Sequence, residues 1–137
     1  MTSDKLISSG GPWEAKIGYS RAVVAGDHVH VSGSTATVDG QLQHPGDAYG
    51  QTKVAFEVVA KALGQVGVEL VDVIRTRMYV TSTDALDDVG RAHGELFGEI
   101  RPASTMVVIA ALVNPEMLVE VEADAYQVGL AERLRNS

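Results

Sequence analysis

The chain has 137 residues, 45% hydrophobic and 21% charged, with 18 acidic residues against 11 lysines and arginines and a formal net charge of −7. That length suits one domain with a real core, while the acidic balance argues against a nucleic-acid partner, whose phosphates need clustered Lys and Arg. Cysteine is absent, which excludes disulfides and a thiol nucleophile, and with no apolar run near ~18 residues and no signal-like N-terminus a soluble cytoplasmic protein without a membrane partner is expected.

Lys5 to Ser9 reads as a short first strand, broken by Ser8-Ser9-Gly10-Gly11-Pro12. Trp13, the single tryptophan, is expected to pack as a lid over a loop, with the wall of a ligand pocket as the other reading. Arg21 to Ala25 and His28 to Ser34 read as paired strands around a Gly26-Asp27 turn. Val29 and Val31 face one way along the second strand, and His28, His30 and Ser32 the other. Gly33 inside that strand marks a bulge or a close backbone approach.

Thr35 to Gly46 reads as a loop, and Asp47 as a helix N-cap. Ala48 to Val66 carries Val54, Ala55, Val58, Val59, Ala62, Leu63 and Val66 at three- and four-residue steps, an amphipathic helix that Gly64 and Gly67 help to end. Val73 to Thr81 predicts a strand with Ile74, Thr76, Met78 and Val80 on one face and Arg75, Arg77 and Tyr79 on the other. A second helix, capped by Thr83 or Asp84, carries the stripe Leu86, Val89, Ala92, Leu96 and Ile100, and Pro102 stops it. Beyond Tyr126 the tail reads as a helical or frayed end.

Arg101 to Ala125 predicts two strands joined as a hairpin at Asn114-Pro115. In the second, Val119, Val121, Ala123 and Ala125 alternate with Glu120, Glu122 and Asp124, so three carboxylates share one face. The element order gives an α+β, two-layer fold with a mixed sheet and two helices packed on one face. Each helix has a single apolar stripe, so the second sheet face is left uncovered. Its expected residues are His30, Arg77, Tyr79, Met106, Val108, Glu120 and Glu122, a mixture that neighbouring subunits can bury.

Other constellations are weak. His28 and His30 with Glu120 or Glu122 could form a two-His, one-carboxylate metal site, but His-x-His on a strand has low specificity and no metal is expected. Gly10-Gly11-Pro12 lacks the Gly-Lys-Ser/Thr ending of a phosphate loop. Ser104 has no His and Asp in chain proximity to make it a nucleophile.

The Pro102-Ala103-Ser104-Thr105 start, the apolar strand and turn after it, and Val119-Glu120-Val121-Glu122-Ala123 resemble the C-terminal signature of the Rid family, the RidA/YjgF-like imine/enamine deaminases formerly labelled endoribonuclease L-PSP. Ile17-Gly18-Tyr19, Val31-Ser32-Gly33 and the strand over 73–81 extend the resemblance, so residues 1–137 read as a single Rid-like domain. It implies a chorismate-mutase-like fold, a homotrimer, and a small-molecule ligand in each inter-subunit cleft. The negative charge counts against ribonuclease or translation-inhibitor activity.

In the deaminating branch an arginine two positions after the signature proline binds the substrate carboxylate. That position here is Ser104, whose hydroxyl cannot replace a bidentate cationic fork. The family's following cysteine is Met106, and an asparagine of its second helix aligns with Gly90. The chain therefore reads as a divergent branch. Tyr19, Ser32, Gly33 and Glu120 are kept. The resemblance makes Glu120 the group that positions or activates water, with Tyr19 beside it; a carboxylate with a raised pKa can do this near neutral pH. Ser32, Gly33, Ser104, Thr105, Met106 and His93 are the expected binding residues, and Arg77 or Arg101 could replace the clamp. The competing readings are Glu120 neutralised by an adjacent arginine, Arg77 paired with Glu120 or Glu122, and His93 as a hydrogen-bonding residue at the helix edge. The function expected is hydrolytic deamination of a small imine or enamine other than 2-aminoacrylate, which requires no cofactor. The alternative is a non-catalytic trimer that binds a small ligand.

Overall fold

The computed structural model describes residues 5–137. Strands β1 (Lys5–Ile7), β2 (Ala22–Ala25), β3 (His28–Ser34), β6 (Val73–Val80), β7 (Ala103–Val108) and β8 (Val119–Tyr126) form one sheet, and β4 (Thr37–Val38) pairs with β5 (Gln41–Leu42) as a small separate ribbon. The helices are α1 (Pro12–Ile17), α2 (Ala48–Gly64), α3 (Leu86–Phe97) and α4 (Leu130–Arg135). The sheet order is β1-β2-β3-β8-β6-β7. Every neighbour pair is antiparallel except β6 and β7, so the sheet is mixed.

Alternation decides which sheet face becomes the core. Val29 and Val31 of β3, Thr76, Met78 and Val80 of β6, and Val119, Val121, Ala123 and Ala125 of β8 are all buried. They meet Ala55, Phe56, Val59 and Leu63 of α2 and Val89 and Phe97 of α3. Burying a side chain of the Phe or Leu class stabilises by about 1.5–3 kcal/mol, so this one layer of contact carries the fold. The two-layer α+β arrangement with two helices on one face is the one the periodicity predicts. Asp47 caps α2 as expected, its side chain accepting from Gly50 N–H at 3.0 Å.

Several expectations need correction. The last two strands are not a hairpin: β8 lies between β3 and β6, and β7 pairs parallel with β6 on its far side. The connection over 109–118 therefore crosses the end of β6. Ile74 does not share the buried face; a register shift between Val73 and Arg75 leaves it 48% exposed. Met106 and Val108 are not on the open face either. They pair with Met78 and Val80, and paired residues point to the same side, here the helix side. The turn before α3 is capped by Ser82, whose Oγ accepts from Asp84 N–H at 3.1 Å, not by Thr83 or Asp84. Residues 12–17 form a short helix; Trp13 on it is half exposed with Lys16 Nζ 5.2 Å from its ring centroid, so it is no buried lid over a loop.

Candidate functional site

The open sheet face carries a connected row of polar side chains, contributed by alternate residues of three adjacent strands. His30 Nδ1 lies 2.8 Å from Asp124 Oδ1. Arg77 donates to Asp124 Oδ2 at 3.1 Å and stands 3.8 Å from Glu122 Oε1. The Tyr79 phenol donates to Glu122 Oε1 at 3.0 Å. Arg77 is thus paired, with Asp124 and Glu122 and not with Glu120, and its hydrogen bond to Asp124 leads the causes that hold its pKa up. His28 stacks on His30, 6.0 Å between centroids, and sits 4.9 Å from the Tyr126 ring. Among the described residues, no three His, Asp or Glu side chains converge to hold a metal ion.

Glu120 stands apart from that row. Its carboxylate accepts no hydrogen bond among the described residues, and its pKa is raised, first by burial and then by the Glu122 charge, against a weaker pull from Arg21. It is also not neutralised by an adjacent arginine through a direct ion pair. The reason is where Arg21 goes. Its buried guanidinium donates to the Gly33 carbonyl at 2.6 Å and to Ser34 Oγ at 2.9 Å, approaches Tyr19 Oη at 3.5 Å, and lies 3.8 Å from Glu14 Oε2. Burial alone would raise Glu14, but hydrogen bonds from Ser9 and Ser8 and the Arg21 charge hold it below the ordinary carboxylate range. Arg21 therefore ties Tyr19 to the bulge at Gly33, over which Glu120 lies.

The bulge itself comes from β3. Pairing with β8 shifts register between Val31 and Ser34, the irregularity the in-strand glycine predicts. Ser32 Oγ is turned back to donate to the Ser20 carbonyl at 2.6 Å. Glu120, Glu122 and Tyr79 form one wall of a cleft of about 440 Å³, and Ile109, Leu112, Val113 and Met117 from the β7–β8 connection form the other.

The remaining sequence-predicted residues separate from this group. Ser104 lies on the helix side of β7, and Thr76 Oγ1 joins it to His93: 2.8 Å to Ser104 Oγ and 2.8 Å to His93 Nε2. His93 packs between Phe56 and Phe97 at 5.8 and 4.7 Å, and burial lowers its pKa, which keeps the ring neutral at pH 7. It borders a second cleft of about 420 Å³ with Phe97, Arg101 and Pro102. Arg101 has φ +57° and makes none of the ion pairs found among the described residues. Met106 Cε stands 4.0 Å from where a Cβ on Gly90 would be. Thr105 faces the other way and accepts from Arg75 Nη2 at 2.8 Å.

Within the chain, then, Tyr19, Ser32, Gly33 and Glu120 gather around Arg21; Arg77 and Thr105 lie on the open face; and Ser104, Met106, His93 and Arg101 lie on the helix side. Arg21 and the apolar connection over 109–118 are the site components that sequence reasoning missed. An arginine opening an apolar strand, with Glu14 seven residues before it, was the available signal for the first.

Comparison with known proteins gives a consistent picture. Residues 12–127 match the family model described as Endoribonuclease L-PSP. The chain is 43% identical over 129 residues to an uncharacterised protein of Streptomyces coelicolor, covering 93% of this chain and 96% of that one. It is 29% identical over 109 residues to 3-aminoacrylate deaminase RutC of Acinetobacter baylyi, covering 79% and 86%. Among solved structures, Rv2704 of Mycobacterium tuberculosis, a member of the YjgF/YER057c/UK114 family, superposes with a TM-score of 0.82 at 45% identity, over 91% of this chain and 100% of that one. No helix of the described residues is long and apolar enough to cross a membrane.

Proposed function

The chain belongs to the endoribonuclease L-PSP family, the RidA/YjgF group with its chorismate-mutase-like fold, and from that premise we propose that it is a cytoplasmic hydrolytic deaminase of a small imine or enamine other than 2-aminoacrylate, working as a homotrimer. The observation that carries this reading is Glu120: a half-buried carboxylate without a hydrogen-bond partner among the described residues, raised in pKa, on the wall of a cleft. A base of that kind near neutral pH suits water activation. In the reaction, Glu120 takes a proton from water as the oxygen bonds to the imine carbon. The carbinolamine then receives that proton on nitrogen, and as the C–N bond breaks its hydroxyl proton passes by way of Glu120 to the departing ammonia, leaving a carbonyl product and ammonium. Protonated imine plus water gives carbonyl plus ammonium, with no redox change.

The trimer is supported by what one protomer leaves undone. Its open face exposes a polar row with partly exposed Val107 and Tyr126, while Ser104, Met106, His93 and Arg101 lie on the opposite side of the sheet from Glu120. A cleft between protomers is a way to bring both groups to one ligand; light scattering reading three times the 14.5 kDa chain mass would agree with it, and a monomer would not. A second reading, a trimer that binds its ligand without turning it over, is favoured by Ser104 at the position of the family's arginine. Freshly generated imines, followed by their loss to a semicarbazide trap with and without the protein, separate the two. Hydrolysis competes with the trap, so a protein-dependent fall in trapped imine that disappears in Glu120→Gln supports catalysis. No acceleration over buffer across several imines leaves the binding reading.

A further inference from the structure

Resting on the Glu120 site just proposed, we infer that the cleft takes a cationic ligand without a carboxylate: an iminium or ammonium group carrying a small alkyl or aryl substituent. The cleft has two unlike walls. One presents Glu120, Glu122 and the Tyr79 phenol; the other presents Ile109, Leu112, Val113 and Met117. Among the described residues, no lysine or arginine lines it. The nearest cations are committed elsewhere, Arg77 to Asp124 at 3.1 Å and Arg21 to the Gly33 carbonyl at 2.6 Å. The phenol hydrogen is used on Glu122, so the Glu120 carboxylate is left as an acceptor without a donor.

A ligand N–H⁺ would supply that missing donor, and a charge-assisted bond of this type is stronger than a neutral one. From this chain's own lining, a ligand carboxylate would meet two acidic side chains and an apolar surface, with no donor fork to receive it. A volume of about 440 Å³ is in the range of small-molecule sites. The apolar wall requires the rest of the ligand to be hydrocarbon.

Two matched probes separate cation from anion. Isobutylamine, cationic at pH 7, and isovalerate share the same branched chain and differ in the charged group. Binding of each is measured at low salt by amide chemical-shift titration, on the wild-type protein and on Glu120→Gln, Glu122→Gln and Arg101→Ala. The expected result is that the ammonium binds at least tenfold more tightly than the carboxylate, with shifts at Glu120 and Met117, and that Glu120→Gln weakens it at least tenfold. Glu122→Gln should weaken it less, since Tyr79 and Arg77 already occupy that carboxylate. Equal or tighter binding of isovalerate, above all if Arg101→Ala removes it, overturns the inference, as does binding of neither probe or ammonium binding indifferent to both glutamates. Because the readout is binding, a protein that holds the ammonium yet hydrolyses no imine refutes the catalytic reading and leaves the ligand class standing.

Discussion

Gly33 lies directly beneath the carboxylate of Glu120: a Cβ added at Gly33 would stand 2.7 Å from Glu120 Oε2 and 2.9 Å from its Cδ. The glycine therefore makes room for Glu120 where it stands and answers no backbone need, since its backbone is not in the left-handed region. The atoms a methyl group would strike are the far end of a flexible side chain, which can swing away at small cost. Gly33→Ala is accordingly expected to keep a thermal midpoint near that of the wild type. Because it moves the proposed base, it should lower kcat/KM on an imine by about tenfold to a hundredfold. A large loss of stability with unchanged activity would mean that the bulge, not Glu120, needs the glycine.

The raised pKa of Glu120 gives two linked expectations. Burial, and then Glu122, disfavour its charge, so the folded protein holds this proton to higher pH than the unfolded chain does. Between the ordinary carboxylate pKa and the raised one, the native state binds more protons, and stability falls as pH rises through that window. Glu120→Gln should therefore raise the thermal midpoint at pH 7 and lose that advantage in acid, where the wild-type group is protonated in both states. Activity should move oppositely. If Glu120 is the base, kcat/KM rises through its raised pKa, and the glutamine variant loses that limb along with about 10²–10⁴ of the rate. A midpoint unchanged across pH would argue that Glu120 titrates normally.

How much of this was legible in the chain differs between elements for physical reasons. The alternation of β8 was readable because both of its neighbours keep the same buried face, so Val119 to Ala125 repeat without interruption. The Asp47 cap was readable because its hydrogen bond is local. The pairing of β7 was not. Asn114-Pro115 signals a turn whether the chain returns beside its own strand or one strand over, and the insertion of β6 between them is a long-range fact. Period two told which residues of β7 share a face but not which face is inner, because an edge strand exposes both; Met106 was placed on the wrong side for that reason. Ser104, two residues before Met106, shares its face and so lies across the sheet from Glu120 within one chain. Arg21 was missed because its partners Glu14, Gly33 and Ser34 are brought to it by folding.

Thr76 is buried between two groups that depend on its hydroxyl, His93 Nε2 and Ser104 Oγ. Thr76→Val keeps the shape and removes both bonds. Leaving a half-buried ring nitrogen without its partner costs about 1 kcal/mol, which urea denaturation would read directly. A double-mutant cycle with Ser104→Ala should give a coupling of about 0.5–1.5 kcal/mol, since the pair shares one hydrogen bond. A coupling near zero would show that Ser104 makes its bond elsewhere in solution.

Ser104→Arg tests what the serine excludes. The position lies on the helix side of β7, beside the cleft bordered by His93 and Arg101. If a neighbouring protomer's Glu120 faces that cleft, an arginine there restores the family's carboxylate fork. The substitution removes the hydrogen bond to Thr76, a loss of about 1 kcal/mol in stability. A charge-assisted contact adds about 1.5–3 kcal/mol to a carboxylate ligand. Turnover of imines generated from amino acids should then rise by at least tenfold over wild type, while imines generated from simple amines gain nothing. Both substrate classes unchanged, in a variant that still folds and assembles, would place residue 104 away from the reacting ligand and return the specificity entirely to the Glu120 and Glu122 wall.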